Sequence, residues 1–314
     1  MARISYYFSR PLILFLLAGL TGIILPQGAD IGKALALPAL TIILTVTLLS
    51  MPRGFFRKPY PLLTPALWGI GMSYFLLGNF IIWSSVFLIR DENLWVGIVL
   101  IAAVPPAVSI IPLSELLRAE QKATLAGLAG AYLGAILIAP LTGIGFLKYI
   151  PLNYSGIIIL VLELIILPLL LSRIAVDNDW DKIFKPYREI INDWCFFIVC
   201  YALAASSRYL VFRRPLDLLF IAAIAVTSTF LIGYCIEKIC LFYKVPPEKV
   251  TSLLLLGTMK NYALAGGIAL VVFNQQAAVP AIVFIFVMFI YELRLKIKMK
   301  TLNEIPLVAK PADQ

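Results

Sequence analysis

A lysine and an asparagine stand side by side within a long apolar stretch of the chain. Lys260 and Asn261 lie in the segment 257–267, which reads Gly-Thr-Met-Lys-Asn-Tyr-Ala-Leu-Ala-Gly-Gly. Placing an ammonium group in a bilayer costs at least about 2.5–3.5 kcal/mol, so the group needs partners such as carbonyl oxygens or a carboxylate. An internal cation of this kind can attract an anion, replace a coupling cation or release a proton. A purely structural tether between helices is the alternative.

A second apolar stretch contains a proline pair, Pro105 and Pro106, followed by Ser109. The two prolines remove backbone donors and clash with the preceding turn, so a straight helix should not continue through them. Carbonyl groups freed at membrane depth are tolerated only where they are buried in protein or line a cavity. Interrupted segments at matching places in two halves of a chain are typical of transporters with inverted repeats. The alternative is that membrane helices simply contain more Pro and Gly.

Further polar residues could belong to the same site. Glu163 is predicted to be the one carboxylate well inside an apolar stretch, and opposite charges in a membrane tend to pair, so it could face Lys260. The other candidates are polar or aromatic residues in apolar stretches, which could contact a ligand or simply join helices: Asn79, Ser109, Thr258 and Tyr262.

Ten apolar stretches must position these groups. Of the 314 residues, 61% are hydrophobic and only 14% are charged, which is typical of an integral membrane protein and excludes an ordinary soluble domain. A membrane-spanning helix needs about 20 apolar residues. We therefore predict an all-α membrane protein with ten spans, at 11–27, 34–51, 62–88, 94–113, 123–147, 155–172, 194–212, 216–240, 250–273 and 277–296.

Basic residues between the spans predict the orientation. With both termini in the cytoplasm, the inside segments hold 19 Lys and Arg residues and the outside segments hold six. The simplest division is into two five-span repeats, so residues 1–172 hold the first repeat plus span six and residues 194–296 complete the second. Residues 173–193 are predicted to form a polar cytoplasmic loop, and 297–314 a cytoplasmic tail. We expect a plasma membrane location, which in a prokaryote is the inner membrane.

Several classes of function are excluded by composition. The chain has no histidine, which removes most hydrolase triads and the commonest zinc sites. It has no phosphate-binding loop, and the net charge of +9 comes from clusters between apolar runs, so nucleic acid is not an expected partner. We expect no enzyme activity, no cofactor and no metal site. The four cysteines are predicted to act as small hydrophobic residues within the spans: Cys195, Cys200, Cys235 and Cys240. Three lysines near the C-terminus are predicted to anchor the chain on anionic lipid: Lys296, Lys298 and Lys300.

The two interrupted stretches resemble the bile acid:sodium symporter family, a member of a superfamily of organic-anion transporters. The similarity is carried by 105–109, with the following span that ends in Ala139-Pro140-Leu141, and by 257–265. A weaker similarity lies at 166–169. The resemblance implies a ten-helix fold in which helices four and nine are broken and cross near the midplane, with a core domain moving against a panel domain.

The chain departs from the family where sodium would bind. In the ninth-helix pattern the family's Glu, Gly and Gln are replaced by Leu256, Thr258 and Lys260, and the fourth-helix Asn is replaced by Ile110. Sodium is a hard cation that prefers several oxygen ligands, and span five offers small apolar residues instead of hydroxyl groups: Ala126, Gly127, Ala129 and Gly130.

The predicted function is therefore secondary transport of a small organic anion by alternating access. Sodium is not expected to take part, because the Lys260 ammonium stands where a coupling cation would sit; transport is proton-coupled or uncoupled. One alternative is a sodium symporter that uses backbone carbonyl ligands. Another is a non-transporting membrane sensor or partner subunit that kept the fold and interacts through 173–193.

Overall fold

The protein is a bundle of α-helices in a computed structural model that describes residues 10–51, 53, 60–147 and 154–304. Side-chain surroundings are described for these residues except 154–162, 209–212 and 300–304. No strand occurs in the described part of the chain. Six helices within the described ranges are long and apolar enough to cross a bilayer. The chain is therefore an all-α, multi-pass membrane protein.

Thirteen helices make up the described bundle, and we number them in chain order. Short 3-10 turns also occur at Pro26–Gly28 and Lys185–Tyr187. The helices are α1 Arg10–Ile24, α2 Ala29–Leu48, α3 Tyr60–Leu88, α4 Glu92–Ala103, α5 Ile110–Leu116, α6 Gln121–Phe146, α7 Tyr154–Asp177, α8 Trp180–Phe184, α9 Arg188–Arg213, α10 Pro215–Phe242, α11 Pro247–Thr258, α12 Tyr262–Phe273 and α13 Gln275–Glu304.

Helices occupy all ten of the predicted apolar stretches, and stretches four and nine are each divided into two shorter helices. The segment 173–193, which we predicted to be a polar loop, is instead mostly helical. Helix α7 continues to Asp177, α8 follows it, and α9 already begins at Arg188. Lys, Arg and Glu do not end a helix once it projects beyond the apolar region, because these residues are good helix formers in water. The predicted tail lies partly in α13, and 305–314 lie outside the described residues.

The helices pack as two groups. In the first, α9 packs against α1 and α2, and α2 packs against α7. In the second, α3 packs against α6, and α13 packs against α4, α10 and α12. The groups touch where α6 meets α7, where α9 meets α13 and where α2 meets α12. The broken helices therefore belong to the second group, and one of them, α12, contacts the first group at α2.

Small residues let α3 and α6 approach closely. A Cβ atom added to Gly69 would overlap the backbone carbonyl of Gly127, and one added to Gly130 would lie 2.5 Å from the Cβ of Ala66. Close backbone approach through small residues is a common way for membrane helices to associate. Gly127 and Gly130 thus serve to pack α6 on α3.

Replacement of Gly69 by alanine should destabilise the protein. The added methyl group meets backbone atoms, which cannot rotate away, so we expect a loss of about 1–3 kcal/mol in the free energy of unfolding. Thermal unfolding of the purified protein in detergent measures the effect. Gly71→Ala is the matched control, because its Cβ would have nothing within 4 Å. Equal melting temperatures for the two variants would contradict this packing.

A polar network fixes the start of α4 at the surface predicted to be extracellular. The Asp91 carboxylate accepts hydrogen bonds from the backbone N–H groups of Asn93 (3.0 Å) and Leu94 (3.1 Å), which caps α4. It also binds Arg214, at the start of α10, and Gln276, near the start of α13. Partial burial opposes ionisation of Asp91, but these hydrogen bonds, above all the one from Arg214, lower its pKa. The network holds α4, α10 and α13 in register above the candidate site.

Candidate functional site

Both predicted interruptions are confirmed. Helix α4 ends at Ala103, and α5 begins at Ile110, so Pro105 and Pro106 lie in non-helical chain. Helix α11 ends at Thr258, and α12 begins at Tyr262. The proline pair explains the first break, because the missing N–H groups and the ring clash stop α4. The second break has no proline and is held by the contacts described below.

The two breaks cross each other. Pro106 and Lys260 form an isolated antiparallel bridge. The backbone N–H of Asn261 donates to the carbonyl of Pro105 (2.9 Å), and the N–H of Ala107 donates to the carbonyl of Met259 (3.4 Å). The crossing thereby satisfies backbone groups that would otherwise be exposed to an apolar medium.

The Lys260 side chain is enclosed at this crossing. It is 0% exposed, and its Nζ donates to the carbonyls of Ala102 (2.8 Å) and Val104 (2.7 Å). These carbonyls lie at the carboxyl end of α4, where the helix dipole is negative and favours a cation. The Nζ also lies 4.5 Å from the centre of the Tyr74 ring, within the range of a cation–π interaction. The ammonium is thus coordinated by carbonyl oxygens and an aromatic face.

Two tyrosines that sequence reasoning missed complete the crossing. Tyr74 lies in a π-helical part of α3, Gly71–Gly78, and its hydroxyl donates to the carbonyl of Ala131 (2.8 Å), which fixes the ring over Lys260. Tyr132 accepts a hydrogen bond of 3.3 Å from the Nδ2 of Asn261. The Oδ1 of Asn261 accepts from the backbone N–H of Leu264 (3.1 Å) and so caps α12. A lone tyrosine in the Ala- and Gly-rich stretch of α6 was the available sequence signal for Tyr132.

Thr258 and Tyr262 flank the crossing within the protein. Both are buried. The Thr258 hydroxyl donates to the carbonyl of Leu254 in its own helix (2.6 Å), and the Tyr262 ring packs against Phe284, with 5.2 Å between ring centres. The ring contact of Tyr262 anchors α12 beside α13, whereas the hydrogen bond of Thr258 stays within α11.

Three predicted site residues do not join Lys260. Glu163 is exposed on α7, whereas Lys260 is fully enclosed, and no ion pair between them occurs among the described side chains. The suggested pairing is therefore wrong in this conformation, because carbonyl oxygens already satisfy the ammonium. Ser109 is also exposed, and Asn79 donates to the carbonyl of Phe75 in its own helix (3.1 Å).

A buried carboxylate lies elsewhere. Glu292 on α13 is 7% exposed, and its recorded ionic partner is Lys296, 3.9 Å away and equally buried. Lys296 is thus not the lipid anchor that we predicted, although Lys298 does lie at the surface and pairs with Glu237 (2.7 Å). The sequence did not reveal this pair, because both residues lie close to the predicted end of span ten. Charged residues at the end of a span are normally expected to be exposed to water.

Glu292 lies on the side of α13 that meets the first helix group. Phe289, three residues earlier and so on the same face, packs against Phe15 of α1 and Phe196 of α9, with ring centres 5.5 Å and 6.1 Å apart. Movement between the helix groups would therefore change the surroundings of Glu292.

An apolar cavity of about 40 Å³ adjoins the crossing between the two helix groups. It reaches the crossing at Val104 and Pro105, and α7 of the first group supplies one wall. The side chains that line it are all apolar: Val99, Leu100, Ala103, Val104, Pro105, Ala135, Ala139, Gly143, Leu147, Leu164, Ile165, Leu264, Ile268 and Phe273. Such a surface suits the hydrocarbon part of a ligand. The charged group nearest to it in the crossing is the Lys260 side chain, which binds the carbonyl of Val104.

Comparison with known protein families and with curated protein sequences finds no match to this chain. Among the described residues, no group of three or more acidic, cysteine or histidine side chains is placed to hold a metal ion. The features that bear on function are therefore the crossing of the two breaks, the enclosed ammonium of Lys260, the apolar cavity and the buried Glu292.

Proposed function

We propose that this chain is a secondary carrier for a small organic anion and is a divergent relative of the bile acid:sodium symporters. The observation that carries the proposal is the crossing of two interrupted helices with an enclosed ammonium at their junction. A merely structural bundle has no use for two breaks and a buried cation, each of which lowers stability on its own. The chain then works by moving one helix group against the other.

Ten membrane crossings and an inverted repeat are part of the proposal. Besides the breaks in stretches four and nine, the third stretch of each half contains a π-helical part, Gly71–Gly78 in α3 and Thr227–Leu231 in α10. Short π-helical parts are frequently found at functional sites. Matching irregularities at the third and fourth positions of both halves support a common ancestral unit of five helices.

The Lys260 ammonium is proposed to replace a bound coupling cation. Two carbonyl oxygens and the Tyr74 ring already surround it, so the negative end of α4 is neutralised without sodium. The amino ends of α5 and α12 add positive potential near the crossing, which favours an anionic group there. The adjoining apolar cavity has a volume of only about 40 Å³, so it must widen as the helix groups move before it accommodates the rest of the molecule. A monocarboxylate with a hydrocarbon body fits this arrangement.

Transport by purified protein in proteoliposomes tests the proposal. Radiolabelled aliphatic and aromatic monocarboxylates should accumulate or exchange at the same rate when sodium is replaced by potassium or choline. Flux that requires sodium would support a sodium symporter with backbone ligands instead. Absence of flux for every organic acid tested, with the protein folded, would favour a sensor or partner subunit.

Glu292 is proposed to be the proton-binding group if a pH gradient drives uptake. It is the only buried carboxylate among the described residues, and it lies where the helix groups meet. Glu292→Gln should abolish the acceleration of uptake by an inward proton gradient while exchange at equal pH persists, because the neutral amide cannot release a proton. Glu163→Gln is the matched control, since its carboxylate is exposed. A gradient response that survives in Glu292→Gln would remove this role.

A further inference from the structure

A charged cleft lies at the end of the bundle that the basic residues predict to be cytoplasmic, away from the crossing. It has a volume of about 340 Å³ and is formed by the chain that follows α2, the end of α7, α8 with the 3-10 turn after it, and the start of α9. We call it the cytoplasmic cleft. Its lining residues are Leu49, Ser50, Met51, Arg53, Val176, Asp179, Asp181, Lys182, Lys185 and Arg188.

The cleft carries an excess of positive charge. Asp179 is matched by two of the cations, Arg53 at 2.7 Å and Lys182 at 2.8 Å, and these contacts lower its pKa. Lys185 and Arg188 then remain against the single carboxylate of Asp181. Within the described part of the chain, the Lys185 ammonium makes no hydrogen bond or ion pair. The net positive charge of the cleft therefore favours binding of an anion.

Polar atoms in the wall of the cleft lack partners. Arg188 donates one hydrogen bond, from Nη2 to the carbonyl of Leu49 (3.2 Å), but its Nε is buried without an acceptor among the described residues. The Oδ1 of Asp181 is likewise buried there without a donor. Buried polar atoms normally have partners, so a missing one indicates a ligand or water. A phosphate oxygen satisfies a guanidinium N–H, and a hydroxyl group beside it satisfies a carboxylate.

Exposed aromatic and aliphatic side chains beside the cleft suit a position at the membrane surface. Trp180, Ile183, Phe184 and Tyr187 are each 40% to 65% exposed and lie within the same turn of chain as Lys182 and Lys185. Aromatic residues of this kind collect at the level of the lipid headgroups. A cleft at this level lies next to lipid headgroups. Anionic lipids of the cytoplasmic leaflet attract basic residues such as those of the cleft.

We propose that the cytoplasmic cleft binds the phosphate of an anionic phospholipid, with Lys185 and Arg188 as the phosphate contacts. Asp181 favours a headgroup that also carries hydroxyl groups. The bound lipid holds the connection between α8 and α9, where Arg188 already donates to the carbonyl of Leu49 just after α2. It thereby stabilises the first helix group as a unit against which the second group moves.

Binding of short-chain phosphatidylglycerol to the detergent-purified full chain tests the site. Thermal unfolding and native mass spectrometry should show tighter binding of this lipid than of phosphatidylcholine. Lys185→Gln should weaken the binding about fivefold, as expected for one charge near a lipid surface. Lys249→Gln, an exposed lysine outside the cleft, should leave it unchanged.

Lys185 is preferred to Arg188 for the test because its side chain makes no hydrogen bond or ion pair with the described residues, whereas Arg188 donates to the carbonyl of Leu49. Equal binding of the two lipids, or unchanged binding in Lys185→Gln, would overturn the proposal. Inorganic phosphate that stabilises the protein as well as the lipid does would assign the cleft to a free anion and overturn the lipid as its occupant. Because the readout is binding, failure here leaves the proposed carrier function untouched.

Discussion

Lys260→Met should reduce organic-anion flux at least tenfold and should leave a folded but less stable protein. The methionine side chain fills similar space, but it cannot donate to the carbonyls of Ala102 and Val104. Each carbonyl left without a donor costs about 1–3 kcal/mol, while removal of the buried charge returns about 2.5–3.5 kcal/mol. The two effects nearly cancel, so we expect a net loss of stability of at most about 3 kcal/mol, which is too small to account for lost transport by unfolding.

Lys238→Met is the matched control for this experiment. Lys238 also lies near an aromatic ring, with 5.4 Å between its Nζ and the centre of the Tyr234 ring, but its side chain is exposed. Its replacement should change neither flux nor melting temperature. Full flux by Lys260→Met without sodium would show that the ammonium has no part in transport. A variant that needs sodium for flux would instead indicate that a cation can occupy the vacated place.

The double replacement Pro105→Ala, Pro106→Ala should also abolish transport. Its effect on the stability of the protein should be smaller than its effect on transport. Alanine restores two N–H groups and favours helix by about 3 kcal/mol per residue over proline, so α4 can extend toward α5. A longer α4 would remove the bridge between Pro106 and Lys260 and the hydrogen bond from Asn261 to the carbonyl of Pro105. We expect at least a tenfold loss of flux in proteoliposomes.

Pro140→Ala provides the comparison. Pro140 lies within the continuous helix α6, which shows that a proline alone does not break a helix of this bundle. Its replacement should preserve flux. Normal transport by the double variant would mean that the crossing does not depend on the prolines and is held by the contacts of Lys260 and Asn261 alone.

In the proposed carrier, the enclosed lysine determines which gradients can drive transport. A bound ion must enter and leave in each cycle, whereas an ammonium fixed to the chain cannot. The carboxyl end of α4 would then be neutralised throughout the cycle, and movement of the helix groups would be driven by the substrate gradient or by protons rather than by sodium.

Local sequence determined the helices and both breaks. Hydrophobic runs of about 20 residues predicted each helical stretch, since length and apolarity suffice to specify a membrane helix. The proline pair located the end of α4, and the glycines, lysine and asparagine of 257–267 located the second break. Both are properties of short segments, so they can be recognised without knowledge of neighbouring helices.

Tertiary structure alone decided which side chains meet. Tyr74 and Tyr132 come from helices far apart in sequence, and only packing brings them to Lys260 and Asn261. Glu163 seemed to be the buried carboxylate because the apolar run around it is long, yet its side chain is exposed, while Glu292 is buried among charged neighbours in the sequence. Hydropathy records how apolar a segment is but not which face of its helix turns inward, and that face is fixed by contacts between segments.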